Sequence, residues 1–529
     1  MWPTVPQAER LASPASFPRM VIFEWIVAVL FGAVLLAALA RRLGAPYPAF
    51  LALGGAALAF VPGVPDLTLD PELALALFLA PVLLDAGYDT SLRDLKANWR
   101  PIGGLALGAV AATTAAVALV THLLIPGMPI AACIVLGAIV APPDAVAALS
   151  VLRHVTLPHR LTTILRGESL LNDAGSLMIY RLGVAAGAAG SFDPGKVAPA
   201  FLLGVVASLV AGPLLARVFV MIAPRFPDAA SAIVMQFVAA FGIWLVAERM
   251  ELSGVLTVVS FAITVARYSP GITAPRTRIV SYAVWETAVF VLNVLAFVLV
   301  GLQIGPILDR LAGDEQSRAL VLAAAVFATV IVVRLLWVLP ANGLRGRARG
   351  RDSSTGFKPA LAISWAGMRG IVTIATALAL PHDFPERDLI LFTAFCTVLG
   401  TLTVQGLTLK PLLRRLGLED DDPVGIETGQ ARAEAYAAAL DSLKETGEDG
   451  AAEALRAEFA AALAEAESHE QGIAPESLPA DAARRRAIAA ARDTVLRLRR
   501  EGRIGDDAYY RLEEEFDWAE LNATPRAEA

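Results

Sequence analysis

Two carboxylates, Glu168 and Asp173, lie in the run GESLLNDAGS inside an otherwise apolar segment. A charged side chain at the centre of a bilayer costs about 2.5–3.5 kcal/mol on insertion scales, so such residues are functional candidates. In a helix, Ser169, Asp173, Ser176 and Tyr180 share one face, because they are spaced by three or four residues. Oxygen-bearing side chains therefore face one way along this segment.

This face has the chemistry of a cation site, because hard cations prefer oxygen ligands. A carboxylate binds either a metal ion or a proton, so one aspartate that alternates between the two would couple the two fluxes. We predict Asp173 as that carrier, with Asn172, Ser169 and Glu168 as further ion-site residues. The alternative role for these polar groups is structural contact between helices.

Two other apolar segments are interrupted beside a charged residue. Residues 141–144 read Ala-Pro-Pro-Asp, and adjacent prolines disfavour helix in front of them. Residues 366–370 read Ala-Gly-Met-Arg-Gly, with a glycine on each side of the Met-Arg pair. Unwound backbone at membrane depth survives only where protein or water lines it. We therefore predict Asp144 as a second metal-ion ligand beside Asp173.

Two basic residues in apolar surroundings, Arg334 and Arg369, can balance these acids. A buried charge without a partner is strongly destabilising, so we expect Glu168 to pair with one of the two arginines. A carboxylate held by an arginine stays ionised and does not carry protons. This argument again favours Asp173 as the carrier.

The composition indicates which elements position these residues. The 529-residue chain is 56% hydrophobic and 18% charged, whereas soluble proteins are about a quarter charged. Apolar runs of the length that a bilayer requires recur from residue 21 to about residue 413. The thirteen predicted spans are 21–40, 46–64, 71–90, 101–124, 127–152, 161–187, 197–223, 229–247, 251–267, 280–305, 317–341, 358–381 and 388–414.

The predicted fold is an all-α polytopic membrane protein with a soluble helical tail. The interrupted spans are the fifth and the twelfth, which suggests an inverted repeat with two broken, crossing helices and a midplane ion site. Its domains are a 1–20 extracytoplasmic segment, a 21–416 transmembrane domain and a 417–529 cytoplasmic tail. Basic residues concentrate in the loops after odd-numbered spans, which predicts an outside N-terminus and a cytoplasmic C-terminus.

Composition also argues against several classes of protein. No basic patch is interleaved with aromatic residues, so nucleic acid is not an expected partner. The two cysteines, Cys133 and Cys396, lie in apolar runs, and the five histidines form no metal-ligand pattern. We expect no cofactor beyond the transported ions.

The GESLLND run resembles the signature of the monovalent cation:proton antiporter-1 family, and the resemblance covers roughly residues 21–416. It implies a bacterial inner-membrane homodimer that exchanges Na⁺, with Li⁺ and K⁺ as alternatives, for H⁺ in pH homeostasis. The Asn172–Asp173 pair is similar to that of electroneutral members. The family also implies pairing of Glu168 with Arg334. Its Thr-Asp-Pro motif is replaced by Pro143-Asp144-Ala145, which weakens the case for a hydroxyl ligand there.

Two other classes of function remain to be weighed. An intramembrane protease would need a Ser/His pair, a paired-aspartate motif or HExxH, and none is suitably placed. We therefore do not expect an enzyme. A membrane-embedded pH or ion sensor would use the same site without ion flux and would signal through its tail.

Overall fold

The computed structural model describes residues 19–62, 64, 71–152, 157–189, 194–310, 313–349, 356–418, 422–444, 450–468, 481–501, 503–504 and 506–523. The described part contains helices and no strands, which confirms the all-helical prediction. Most of the predicted N-terminal segment lies outside these residues. The chain divides into two compact units, Met1–Asp420 and Asp421–Ala529.

The first unit is built from helices that follow the apolar runs of the sequence. In chain order they are α1 (Arg19–Leu43), α2 (Tyr47–Leu58), α3 (Pro71–Tyr88), α4 (Leu92–Ala97), α5 (Trp99–Gly103), α6 (Val110–Leu124), α7 (Ile130–Val140), α8 (Ala145–Leu152), α9 (His159–Ala189), α10 (Pro194–Ile222), α11 (Ala229–Arg249), α12 (Gly254–Ile272), α13 (Pro275–Leu302), α14 (Ile304–Arg310), α15 (Gly313–Arg349), α16 (Phe357–Trp365), α17 (Ile371–Leu378), α18 (Arg387–Gly400) and α19 (Gly406–Leu416). π-Helical turns at Gly104–Ala109 and Thr401–Gln405 join α5 to α6 and α18 to α19.

Seven of the described helical segments are long and apolar enough to cross a membrane. They begin near predicted spans 1, 4, 7, 8, 10, 11 and 13, and together they establish a multi-pass membrane protein. The other six predicted spans coincide with helices that are short, broken or interspersed with charged residues. The count of thirteen therefore stays a prediction.

Both predicted interruptions are real breaks in helices. The first separates α7 from α8 at residues 141–144, and the second separates α16 from α17 at residues 366–370. The prolines explain the first break, because they supply no backbone donor. At the second, Gly370 has a backbone conformation outside the helical region. Each break interrupts a chain segment that is buried on both sides.

The buried apolar residues form two main clusters. The larger cluster includes residues of α6, α7, α15 and α18, and the smaller one lies mainly among α3, α11, α12 and α13. Leu170 of α9 belongs to the smaller cluster, whereas Leu161 and Leu165 belong to the larger one. The helix that carries the predicted site thus packs against both clusters.

The second unit contains four helices rich in Ala, Glu and Arg. These are α20 (Pro423–Lys444), α21 (Gly450–Ser468), α22 (Asp481–Arg500) and α23 (Asp506–Asn522). Arg492 donates hydrogen bonds to Glu513, Asp517 and Glu520 at 2.6–2.9 Å, which ties α22 to α23. The hydrogen bond to Asp517 and the charges of all three carboxylates raise the pKa of Arg492. The three carboxylates of α23 are therefore structural partners of Arg492.

Candidate ion-binding site

Helix α9 positions Glu168 in a buried ion pair. Arg334 of α15 donates two hydrogen bonds to the carboxylate, Nη1 to Oε1 at 2.5 Å and Nη2 to Oε2 at 2.8 Å. Glu168 and Arg334 are only 1% and 3% exposed, so the pair is shielded from solvent. Two parallel hydrogen bonds between fixed planar groups make this a strong and geometrically specific contact.

Arg334 also connects α15 to the second break. Its Nε and Nη2 atoms donate to the carbonyl oxygen of Ile363 at 3.3 and 3.2 Å. A Cβ atom on Gly367 would collide with the Arg334 side chain, so glycine is needed for this close approach. The ion pair therefore fixes α9, α15 and α16 relative to one another.

The two breaks contact each other directly through the backbone. The amide nitrogen of Asp144 donates to the carbonyl oxygen of Met368 at 2.6 Å. Helix α9 is fastened to the first break, because Asn172 Nδ2 donates to the Pro143 carbonyl at 2.8 Å. One turn further along α9, Ser176 Oγ donates to the carbonyl oxygen of Ala138 at 3.0 Å.

The Asp144 side chain lies at the start of two half-helices. Its Oδ1 atom accepts a hydrogen bond from the Val146 amide at 2.8 Å, which caps the N-terminus of α8. A Cβ atom on Gly370 would collide with the Asp144 carboxyl group, which places that group against the N-terminus of α17 as well. Helix N-termini carry partial positive charge, so a carboxylate is stabilised there.

Arg369 occupies the complementary position at the ends of two half-helices. Its guanidinium donates to the carbonyl oxygens of Val140 at 3.0 Å and of Ala141 at 3.5 Å, where α7 ends. It also donates to the Gly367 carbonyl, just after α16 ends. Helix C-termini carry partial negative charge, so a cation is favoured there. No carboxylate in the described part of the chain forms an ion pair with Arg369, and its partners are backbone carbonyls.

Four oxygen-bearing side chains lie at the first break or on the adjoining part of α9. Asp144 Oδ2 and Asn172 Oδ1 are buried and have no hydrogen-bond partner among the described residues. The side chain of Asp173, next to Asn172, is 6% exposed, and its carboxyl group interacts electrostatically with that of Asp144. Ser169 is half-buried one turn before Asp173. All of these oxygen atoms can ligate a cation, and the two carboxylates can also bind a proton.

Two carboxylates alone do not make a complete metal cage. Within the ranges that the structure describes, no group of three or more His, Cys, Asp and Glu side chains is arranged to hold a metal ion. A cation bound between Asp144 and Asp173 would need further oxygen ligands from amides, hydroxyls, carbonyls or water. A hard monovalent cation accepts such ligands.

Several buried polar residues were not among the sequence predictions of site residues, and one of them, Gln405, lies close in sequence to a residue that contacts the second break. Gln405 is fully buried, and neither side-chain amide atom has a hydrogen-bond partner in the described part. It ends the π-helical turn that begins at Thr401, whose Oγ1 accepts a hydrogen bond from the Arg369 amide at 3.0 Å. A π-helical turn cannot be recognised from hydropathy, so the only sequence feature that could have indicated this position is a glutamine in an apolar run.

Comparison with known proteins places the chain in a family. Residues 26–415 match the family model described as sodium/hydrogen exchanger, transmembrane. An uncharacterized Na⁺/H⁺ exchanger of Mycobacterium tuberculosis is 33% identical over 442 residues, which cover 81% of this chain and 80% of that protein.

The name of a second relative lists several cations. The sodium, potassium, lithium and rubidium/H⁺ antiporter of Bacillus subtilis is 32% identical over 383 residues, covering 69% of this chain and 57% of that protein. The sodium proton antiporter MjNhaP1 from Methanocaldococcus jannaschii, solved at pH 8, superposes with a TM-score of 0.57 and 17% identity. That match covers 74% of this chain and 100% of the archaeal chain, and it supports the fold alone. On the strength of the family match over most of its length, this chain belongs to the sodium/hydrogen exchanger family.

Proposed function

We propose that this chain exchanges a monovalent cation, Na⁺ first and Li⁺ or K⁺ as alternatives, for protons by alternating access. The observation that carries the proposal is the contrast between an ion-paired Glu168 and a buried Asp173 beside a second carboxylate. Family membership and the names of the relatives favour exchange over a sensor without flux.

Asp173 is the carrier in this proposal. Two nearby carboxylates repel each other when both are ionised, so either a proton or a cation stabilises the pair. A cation that binds Asp173 and Asp144 displaces the proton, and a proton that binds Asp173 weakens the hold on the cation. Asn172 Oδ1 and Ser169 supply neutral oxygen ligands. One cation for one proton makes the exchange electroneutral.

Glu168, Arg334 and Arg369 support the site without carrying ions. The ion pair joins α9 to α15, and Arg369 stabilises the ends of α7 and α16. A broken helix in each half of the chain is typical of transporters with inverted repeats and a midplane site. We therefore propose an inverted repeat of thirteen spans in which the two breaks cross at the ion site.

The remaining features of the proposal concern the cell and the assembly. The distribution of basic residues supports an outside N-terminus and a cytoplasmic tail in a bacterial inner membrane. We further propose a homodimer, a role in pH homeostasis and a three-part division at residues 20 and 416. The ions are the substrates, and no cofactor takes part.

The test is cation-dependent collapse of a pH gradient in everted vesicles, run with Na⁺, Li⁺ and K⁺. Asp173→Asn should reduce exchange to the level of vesicles without the protein, because an amide cannot carry a proton. Asp388→Asn, which changes an exposed carboxylate on α18, is the matched control and should keep full exchange. Cation-dependent proton flux that persists in Asp173→Asn would remove Asp173 from the carrier role.

A further inference from the structure

A separate cavity of about 270 Å³ lies at one end of the first unit. Its walls come from the ends of α3, α10 and α12 and from the starts of α11 and α13. None of the proposed ion-site residues lines it. The volume is near the lower limit of pockets that bind small organic ligands, roughly 300 Å³.

The walls of this cavity are unusually aromatic. Six of the 24 lining residues are Phe, Tyr or Trp, whereas these types make up 7% of the whole chain. They are Tyr88, Phe219, Phe226, Phe261, Tyr282 and Trp285. An aromatic, mostly apolar wall with a few polar groups is typical of a ligand pocket. Aromatic faces also attract cations, above all quaternary ammonium groups.

The aromatic wall is held in place before any ligand binds. Trp285 stacks on Phe237 with ring centroids 4.3 Å apart, and its Nε1 atom donates to Gln236 Oε1 at 2.5 Å. Ser281 Oγ donates to the same oxygen at 2.8 Å. Tyr88 and Tyr282 meet edge to face at 6.4 Å. A wall with fixed rotamers loses little entropy on binding, which favours affinity.

The charges around the cavity favour a cationic ligand. Asp85 lies in the last turn of α3, and Asp89 is the first residue after that helix. The Asp89 amide donates to the Asp85 carbonyl at 3.1 Å, so the two residues lie one turn apart on the same side. Arg278 is the one basic residue among the lining residues, which leaves a formal charge of −1. This sum holds whether or not the three groups pair with each other. Two carboxylates would repel an anion. A cation with an apolar body would be attracted by the net negative charge and by the aromatic faces.

We propose that this cavity binds a small organic cation with an aromatic or alkyl body, such as an arylalkyl ammonium ion. The wall residues of α3 adjoin Leu79 and Leu83, which pack in the same apolar cluster as Leu170 of α9. A ligand wedged between α3, α12 and α13 would hold the surface against which α9 packs. The inference that binding slows exchange rests on the function proposed above, whereas binding itself does not.

The first experiment measures binding to the purified full chain by thermal shift at constant Na⁺. Benzyltrimethylammonium should raise the melting temperature with a saturable dose dependence. Phenylacetate, with the same benzyl group and the opposite charge, should leave it unchanged. No saturable rise with the cation, or an equal rise with phenylacetate, would overturn the proposal.

Variants of the lining residues locate the site. Ala239→Phe fills the cavity and should raise the benzyltrimethylammonium concentration that gives half-saturation at least tenfold. Asp388→Asn should leave this concentration unchanged. Asp89→Asn removes an exposed charge and should weaken half-saturation about two- to fivefold, the size of an exposed charge pair. Unchanged affinity in both cavity variants would show that the cation binds elsewhere. If Ala239→Phe does not fold, Asp89→Asn and the comparison with phenylacetate still test whether the cation binds in this cavity.

The second experiment tests the effect on exchange. Benzyltrimethylammonium added outside everted vesicles reaches the side that the basic loops predict to be cytoplasmic. It should slow cation-dependent proton flux in the unmodified chain and not in Ala239→Phe. Binding without any loss of flux would overturn the inhibitory effect and leave the site itself intact. Absence of cation-driven flux in all samples would count against the proposed function instead.

Discussion

Helix α9 carries two buried carboxylates, five residues apart, in opposite environments. Glu168 has both oxygens bound by one guanidinium, and Arg334 in turn is bound to the backbone of α16. Asp173 has no such partner among the residues that the structure describes, and its electrostatic neighbour is another carboxylate, Asp144. The same helix thus holds one acid whose charge is matched and one whose charge is not.

This difference separates the two roles that a membrane-embedded acid can have. Breaking a buried ion pair leaves an uncompensated charge, so Glu168 has no low-energy way to release its partner and take up an ion. A cation or proton that binds between Asp173 and Asp144 stabilises the pair, because it relieves the repulsion between the two carboxylates. In the exchange that we propose, the acid without an arginine partner binds the ions, and the paired acid keeps its helix in place.

The comparison is tested most severely by removing the partner of Glu168. Arg334→Ala should destabilise the protein by about 3–5 kcal/mol, because it leaves a buried carboxylate unpaired. Chemical unfolding in detergent micelles measures this loss. The double variant Arg334→Ala with Glu168→Gln should recover part of the stability, since the stranded charge is then absent.

The control for this test is Arg181→Ala, which removes an arginine that is 54% exposed. It should cost far less than the buried substitution. If Arg334→Ala unfolds no earlier than Arg181→Ala, the buried pair contributes nothing and the contrast with Asp173 loses its physical basis. If the double variant is no more stable than Arg334→Ala, the loss comes from packing rather than from the stranded charge.

Arg369 sharpens the comparison, because it is a buried charge whose partners are neutral. Arg369→Met keeps a long side chain but leaves the carbonyls at the ends of α7 and α16 without their donors. Each unsatisfied buried group costs about 1–3 kcal/mol, but the variant also removes a buried charge and its desolvation penalty. We therefore expect a net stability loss of about 2–3 kcal/mol, smaller than for Arg334→Ala. The same unfolding assay measures it.

Arg369→Lys is the matched comparison, because it keeps the charge but reduces the number and geometry of donors. It should retain more stability than the methionine variant. Equal loss in the two variants would mean that charge does not matter at the helix ends. Full stability in Arg369→Met would mean that the carbonyls find other partners.

Much of the fold was predictable because lipid imposes simple demands on a sequence. The breaks at residues 141–144 and 366–370 could be located because adjacent prolines, or two glycines, stand beside a charged residue in an apolar run. A single proline was not sufficient, since Pro81, Pro340 and Pro411 lie inside helices. The number of membrane crossings was harder to derive. Spans that carry charged residues or are split into half-helices have weak hydropathy, and only seven described helices meet a length and composition test.

The site shows the same division between local and long-range information. The face that contains Ser169 and Asp173 follows from helical spacing alone. The choice between Arg334 and Arg369 as the partner of Glu168 did not follow from spacing, because it depends on how α15 and α16 pack against α9. The orphaned amide of Gln405 also depends on tertiary packing, and nothing in its neighbouring residues indicates that its hydrogen bonds are missing.

The smallest effect is expected at the exposed counterpart of the buried pair. Near the other end of α9, Arg181 Nη2 donates to both carboxylate oxygens of Glu248 at 2.9 Å, with side chains 54% and 37% exposed. Water already solvates both charges, so Glu248→Gln should change stability by no more than about 1 kcal/mol. Unfolding of this variant at low and high salt measures that change. A loss as large as that of Arg334→Ala would mean that burial does not set the strength of these pairs. The lack of an ion-pair partner would then no longer explain why Asp173, rather than Glu168, is the proposed ion-binding residue.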